Sequence, residues 1–210
     1  MPRRALLAED HELVRQGFRA LLEREGFEVI AEAHDGREAV QLVEQRSPDL
    51  ALLDLSMPNL NGVDAAKEIL RVKPRTKVIL LTAHTEDAYV LAALQAGVHG
   101  YVLKSQAARD LVQAIDEVFK GGLYLSPRIS RSVVDAYKTR SAVAQDPLTF
   151  REREVLQLVA EGKTTKEVAA LLNISVKTVE SHRNRIMQKL EIHETANLTR
   201  YAIRHGIIEA

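Results

Sequence analysis

Leu50-Ala51-Leu52-Leu53-Asp54 decides the fold: four apolar residues in succession, closed by one carboxylate. A short unbroken apolar run is buried on both faces, as the strands of a parallel sheet are. Working outward, three more runs end on polar residues. Leu6-Leu7-Ala8 ends on Glu9 and Asp10, Val78-Ile79-Leu80-Leu81 on Thr82, and Tyr101-Val102-Leu103 on Lys104. Strand-like segments fall at residues 5–8, 28–33, 50–53, 77–81 and 100–103. Helical segments alternate with them at 11–25, 37–45, 63–72, 87–96 and 107–120. In the first helix Val14, Phe18, Leu21 and Leu22 form one apolar stripe.

Five strand–helix repeats predict an α/β domain of flavodoxin-like type, a doubly wound five-stranded parallel sheet with right-handed crossovers. In an open parallel sheet, ligands bind beyond the carboxyl ends of the strands. Glu9, Asp10, Asp54, Thr82 and Lys104 are therefore expected in one crevice. Phosphoryl transfer asks more for neutralised charge at the phosphoryl oxygens than for acid–base help. A hard divalent ion such as Mg²⁺ takes oxygen ligands. Glu9, Asp10 and Asp54 would supply carboxylates to it, and the backbone carbonyl of Ser56 a further oxygen. Asp54 is the expected acceptor, with Lys104 paired to the phosphoryl oxygens and Thr82 donating its hydroxyl. A lone Asp after a strand is ordinarily a helix cap, so it is the set that specifies the chemistry. His11 and His34 are expected in solvated loops and His84 at the pocket mouth or surface. The carboxylates favour a hard metal over a histidine-bound zinc.

The 210 residues suffice for two small domains with real cores. An apolar share of 46% with 28% charged is that of a soluble globular chain. Cysteine is absent, which excludes disulfides and thiolate metal sites. No apolar run approaches the roughly 20 residues that span a bilayer. Met1-Pro2-Arg3-Arg4 runs straight into a strand-like segment, so a cytoplasmic protein without a membrane partner is expected. Residues 1–120 carry 15 Lys+Arg against 19 Asp+Glu, and residues 147–210 carry 10 against 8. In the second part Lys177, Arg183, Arg185 and Lys189 face a single acid, Glu180, so positive charge is local.

Gly121-Gly122 stops the last helix of the first part. Residues 121–146 read as a linker. In it Ile129, Val133, Val134 and Tyr137 suit a short amphipathic helix, ahead of a polar stretch over 138–146. From Pro147 the strand signal is gone and four helical segments follow. Thr149 with Glu152 makes a capping box, Gly162 ends that helix, Thr164 or Thr165 caps a second, and Ser175 caps a third over 176–190. A short helix, a tight turn and a longer helix build a helix-turn-helix in a small all-α domain, 147–210. The spacing of Val179, Ile186, Met187 and Leu190 leaves Lys177, Thr178, Ser181, His182 and Arg185 largely outward. A plain helical bundle with a solvated face is the competing interpretation of this part.

Glu9-Asp10, Asp54 with Met57-Pro58 and Gly62, Thr82-Ala83, and Tyr101 three before Lys104 resemble the receiver domain of two-component response regulators. Leu148-Thr149, Arg151-Glu152, Glu154-Val155-Leu156, Gly162, Glu167-Val168-Ala169 and Ser175-Val176-Lys177-Thr178-Val179 with His182 resemble the LuxR-type DNA-binding domain. Together they resemble the NarL/FixJ class of response regulators, with a receiver at 1–120. The resemblance implies that Asp54 takes phosphate from a sensor histidine kinase and that Thr82 and Tyr101 shift together as the switch. It implies Mg²⁺ as cofactor and double-stranded DNA, a second copy on activation and RNA polymerase as partners, in a bacterial cytoplasm. It places Lys177, Thr178, Ser181, His182 and Arg185 toward DNA, Val179 half inside, and Lys163, Thr164 and Thr165 on the DNA backbone. The last helix (195–205) pairs DNA-binding domains in that class, while Leu198, Tyr201, Ala202 and Ile203 suit internal core equally. Ser105 follows Lys104 where many receivers carry a cis proline, and a cis bond before a non-proline costs about 2.5–4 kcal/mol.

The implied protein is a regulator with no enzymatic activity beyond self-phosphorylation from a donor and slow loss of that phosphate. An aspartate phosphatase of haloacid-dehalogenase type would need a second Asp at Ser56 and its nucleophile on the first strand. A flavodoxin would need a Ser/Thr/Gly-rich loop where Glu9-Asp10 stands. A ligand-sensing regulator would lack the acids with Lys104. A phosphate-independent regulator of the same build is the remaining alternative.

Overall fold

The computed structural model describes residues 2–84, 87–129 and 147–208. It forms two compact units, Met1–Arg140 and Ser141–Ala210. The first contains β1 (Arg3–Ala8), α1 (Glu12–Arg24), β2 (Phe27–Ala33), α2 (Gly36–Arg46), β3 (Leu50–Asp54), α3 (Gly62–Val72), β4 (Lys77–Thr82), α4 (Asp87–Gln95), β5 (Gly100–Leu103), α5 (Ala107–Phe119) and β6 (Tyr124–Leu125). The strands lie in the order β2-β1-β3-β4-β5-β6, every pair parallel. The order reverses direction beside β1, as a doubly wound sheet must. Leu6, Leu7, Leu50, Leu52, Leu53, Leu80 and Leu81 are wholly buried. Each such side chain contributes on the order of 1.5–3 kcal/mol through removal from water. From α1, Phe18 and Leu22 join Leu7, Leu50, Leu52 and Leu81 on one face of the sheet, with Val14 and Leu21 packed at the border.

The sheet has a sixth strand where five were expected. Tyr124 N donates to His99 O at 3.0 Å and Ser126 N to Tyr101 O at 3.0 Å. Ser126 Oγ accepts from Leu103 N at 3.1 Å and donates to Asp110 Oδ2 at 2.6 Å. Two residues show no period, so only their bonds to distant backbone reveal them. The sheet thus reaches into the span that the sequence reading treats as linker. Of the short helix expected there, Ile129 is buried, and Val133, Val134, Tyr137 and the polar stretch lie outside the described residues. Past β5 the chain makes a 3₁₀ turn, Lys104–Gln106, and no described peptide is cis. α3 meets the end of β3 at close range. Gly62 N donates to Leu55 O at 2.8 Å, and a Cβ on Gly62 would stand 2.1 Å from Asp54 O.

The second unit is helical: α6 (Phe150–Ala160), α7 (Thr165–Leu172), α8 (Val176–Leu190) and α9 (Thr195–Arg204). Capping boxes open α6 at Thr149 with Glu152 and α7 at Thr164 with Glu167. Ser175 caps α8 by accepting from Thr178 N. α7 ends on Asn173 at φ 51°, the left-handed geometry that turns the chain into α8. Val155, Leu158, Val168, Val179, Ile186, Leu198 and Ala202 share one core. Leu198 and Ala202 of α9 are therefore internal, while Tyr201 and Ile203 are half-buried.

Candidate functional site

Strand register builds the pocket. Ala8 pairs with Leu53, Asp54 with Leu81, and Thr82 with Leu103. The residues that close β1, β3, β4 and β5 therefore stand side by side at the carboxyl edge. Lys104 Nζ lies 2.8 Å from Glu9 Oε2 and 2.8 Å from Asp54 Oδ1. Glu9, Asp54 and Thr82 are buried, Lys104 is half-buried and Asp10 is exposed. Glu9, Asp10 and His11 each offer a ligand atom within 4.8 Å of the others. Thr82 Oγ1 accepts from His84 N at 2.9 Å. Ser56 sits half-buried two residues past Asp54. Tyr101 is wholly buried on β5.

Burial pushes the Asp54 carboxyl up to about 6; Lys104 pulls it down, and the negative charges of Glu9 and Asp10 push it further up. Burial works against the Lys104 ammonium, but Asp54 and Glu9 outweigh it and hold its pKa above the ordinary value. Exposed His11 is raised by its hydrogen bond to Asp10, at 2.8 Å, then by the charges of Asp10 and Glu9. Two carboxylates, Glu9 and Asp54, thus share one ammonium, with Asp10 beside them on His11, and the donors are hard oxygens. That donor set fits a divalent cation of the Mg²⁺ kind.

Arg15 is a residue of this site that the sequence reading missed. Its Nη1 donates to Glu9 O at 2.8 Å and its Nε pairs with Glu32 Oε2 at 3.0 Å. Glu32 is near because β1 and β2 pair Leu7 with Glu32. Nothing local to Arg15 signals that partner.

In the second unit Lys163, Lys177, Ser181 and Arg185 are exposed. Thr178 and His182, expected outward, are half-buried. Thr178 Oγ1 lies 2.8 Å from Ser175 Oγ. His182 Nδ1 is buried with no hydrogen-bond partner among the described residues. Burial, then the charges of Arg151 and Arg185, keep its imidazole below the usual pKa. Thr164 is engaged with Glu167, and Thr165 Oγ1 accepts from Arg183 Nη1 at 3.2 Å. The local positive charge is smaller than the sequence suggests. Arg183 reaches inward to Thr165 and Thr195, and Lys189 pairs with Glu152 at 2.6 Å. The outer stripe of α8 consists of Lys177, Glu180, Ser181, Asn184, Arg185 and Gln188, all exposed. Their i, i+3, i+4, i+7, i+8, i+11 spacing puts them on one helix face.

Comparison with known proteins finds two family matches. The response regulator receiver domain matches residues 5–116, and the luxR family of bacterial regulatory proteins matches residues 146–202. The chain is 39% identical over 210 residues to the response regulator UvrY of Escherichia coli (strain K12), covering 98% of this chain and 95% of that one. It is 38% identical over 208 residues to the transcriptional regulatory protein LiaR of Bacillus subtilis (strain 168), covering 98% and 99%. Among solved structures it is similar to RcsB from Salmonella enterica serovar Typhimurium bound to promoter P1flhDC in the presence of the phosphomimetic BeF3⁻. There the TM-score is 0.61 at 30% identity, over 96% of this chain and 98% of that one.

Proposed function

This chain belongs to the two-component response regulators of the NarL/FixJ class, DNA-binding transcriptional regulators with a receiver and a LuxR-type domain, and from that premise we propose that phosphorylation of Asp54 switches it. The observation that carries this is the bridge of Lys104 between Asp54 and Glu9, at 2.8 Å to each. An Asp54 carboxylate oxygen forms the new bond to phosphorus as the bond to the donor breaks. The donor is the phosphohistidine of a sensor kinase, whose imidazole departs. Lys104 follows the negative charge onto the phosphoryl oxygens, and Thr82 donates its hydroxyl to one of them. Mg²⁺, held by Glu9, Asp10, Asp54 and the Ser56 carbonyl, would neutralise charge on those same oxygens.

Thr82 and Tyr101 form the switch. Tyr101 pairs in the sheet with Leu80 and with Leu125 of the short β6, so its movement is felt at that edge. The response is dimerisation with a second copy and binding to double-stranded DNA, with RNA polymerase as the downstream partner. Residues 1–120 with β6 act as the receiver, and 147–210 bind DNA. On α8, Lys177, Ser181 and Arg185 lead that contact, with Thr178 and His182 at its inner margin and Lys163, Thr164 and Thr165 on the DNA backbone. The match to the receiver family supports a bacterial cytoplasmic location; among the described residues no helix is long and apolar enough to cross a membrane. Apart from self-phosphorylation and slow dephosphorylation, the protein is no enzyme.

The test is labelling with acetyl phosphate and Mg²⁺. Intact-mass spectrometry should find one base-labile phosphoryl group, lost in Asp54→Asn. Undiminished labelling of that variant sinks the assignment.

A further inference from the structure

α1 begins without a side-chain cap: His11 makes no capping hydrogen bond. Within the turn that carries Glu9 and Asp10 into the helix, His11 N donates to Glu9 Oε1 at 3.3 Å and His11 Nδ1 lies 2.8 Å from Asp10 Oδ1, and the backbone of Glu9 is held from elsewhere. Glu9 N donates to Ala33 O at 3.1 Å, and Glu9 O accepts from Arg15 Nη1 at 2.8 Å. Arg15 is only 7% exposed, and its Nε is fixed by Glu32 at 3.0 Å. The other oxygen of Glu32 takes Arg19 Nη1 at 2.6 Å, and Arg19 Nε pairs with Glu23 at 2.9 Å. One guanidinium therefore ties the acid-bearing turn to β2, and a second braces it. A planar fork serves this double duty, since its donors point in fixed directions.

We propose that Arg15 is a positioning residue that holds the Glu9–Asp10 turn rigid enough for the pocket to select Mg²⁺ over Ca²⁺. The inference rests on the reading of this pocket as a divalent-ion site for phosphoryl transfer. Mg²⁺ demands near-octahedral oxygens at about 2.0–2.1 Å, whereas Ca²⁺ accepts six to eight at about 2.3–2.6 Å in loose arrangements. Asp54 and Lys104 are set by the ends of β3 and β5. Glu9 and Asp10 ride on the turn. A turn freed to relax still suits Ca²⁺ and no longer suits Mg²⁺. Groups that orient metal ligands cost roughly 10–100-fold in affinity when removed.

Calorimetric titration of the full chain with Mg²⁺ and with Ca²⁺ decides it, on wild type, Arg15→Ala and Arg15→Lys, with urea melts reporting the fold. Arg15→Ala should raise the Mg²⁺ Kd roughly 10–100-fold and the Ca²⁺ Kd markedly less. Arg15→Lys keeps the charge without the fork and should fall between. If the alanine variant does not fold, the lysine variant decides by the same ratio. An unchanged Mg²⁺/Ca²⁺ ratio overturns the assignment, whether both constants hold still or both rise together; the latter makes Arg15 a matter of general stability. A wild-type chain that binds no Mg²⁺ removes the divalent-site reading and this assignment with it.

Discussion

Replacing Gly62 by alanine should cripple phosphorylation without touching a reacting group. The added Cβ would stand 2.1 Å from Asp54 O, whereas real contacts begin at about 3.0 Å, so α3 and the end of β3 must part by about 0.9 Å. The clash is with backbone and cannot be relieved by a rotamer. Overpacking of this kind costs about 1–3 kcal/mol, and the displaced residue is the acceptor itself. A misplacement near 1 Å costs on the order of 100-fold in rate, so phosphorylation by acetyl phosphate should slow by roughly 10–100-fold. Initial rates and urea midpoints would be measured together, with Gly17→Ala as control because its added Cβ meets nothing within 4 Å beyond its own helix backbone. A Gly62→Ala protein with wild-type rate and midpoint would refute the reasoning.

Asp54 supplies a pH test. Its folded pKa of about 6 lies above the ordinary aspartate value of 3.8, so the native state holds the extra proton between those values. Without added metal, stability should therefore fall as pH rises from about 4 through about 6, by at most about 3 kcal/mol. Asp54→Asn should be more stable than wild type at pH 8 and equal to it near pH 4; a constant gap across that range contradicts the cause given. Lys177→Ala should weaken binding to all duplexes alike and lower the salt slope by about 1, and a loss confined to one sequence would count against a phosphate contact. Glu180, a carboxylate on the same stripe, suits a cytosine amino group. Glu180→Ala should relax one base position by about 1–3 kcal/mol in a binding-site selection, and an unaltered preference removes it from base contact. Thr82→Ala should accept phosphate yet lose most of a coupling to dimerisation of about 1–3 kcal/mol, as sedimentation with and without phosphodonor would show.

Much of this was legible locally. An unbroken run such as Leu50–Leu53 must be buried on both faces, and helices between such runs leave only parallel crossovers, so the strand ends share one edge. Glu9, Asp54 and Lys104 could thus be brought together from order alone. Thr149-Glu152 and Ser175 announced helix starts, because a cap is satisfied within three residues. What escaped depends on partners far along the chain. The Tyr124–Leu125 strand exists through bonds to His99 and Tyr101. Arg15 is buried because β-pairing delivers Glu32. Lys189 and Arg183 look like free positive charge until Glu152, Thr165 and Thr195 arrive from other helices. Helical period placed Val179 inward, and packing set His182 half inside beside it. Periodicity and capping are properties of neighbours in sequence, so the residues alone determined the five strand–helix repeats, the helix starts of the second domain and the acid edge. The state of each long side chain was decided by tertiary structure, because a lysine or arginine goes wherever a distant carboxylate or carbonyl completes its hydrogen bonds.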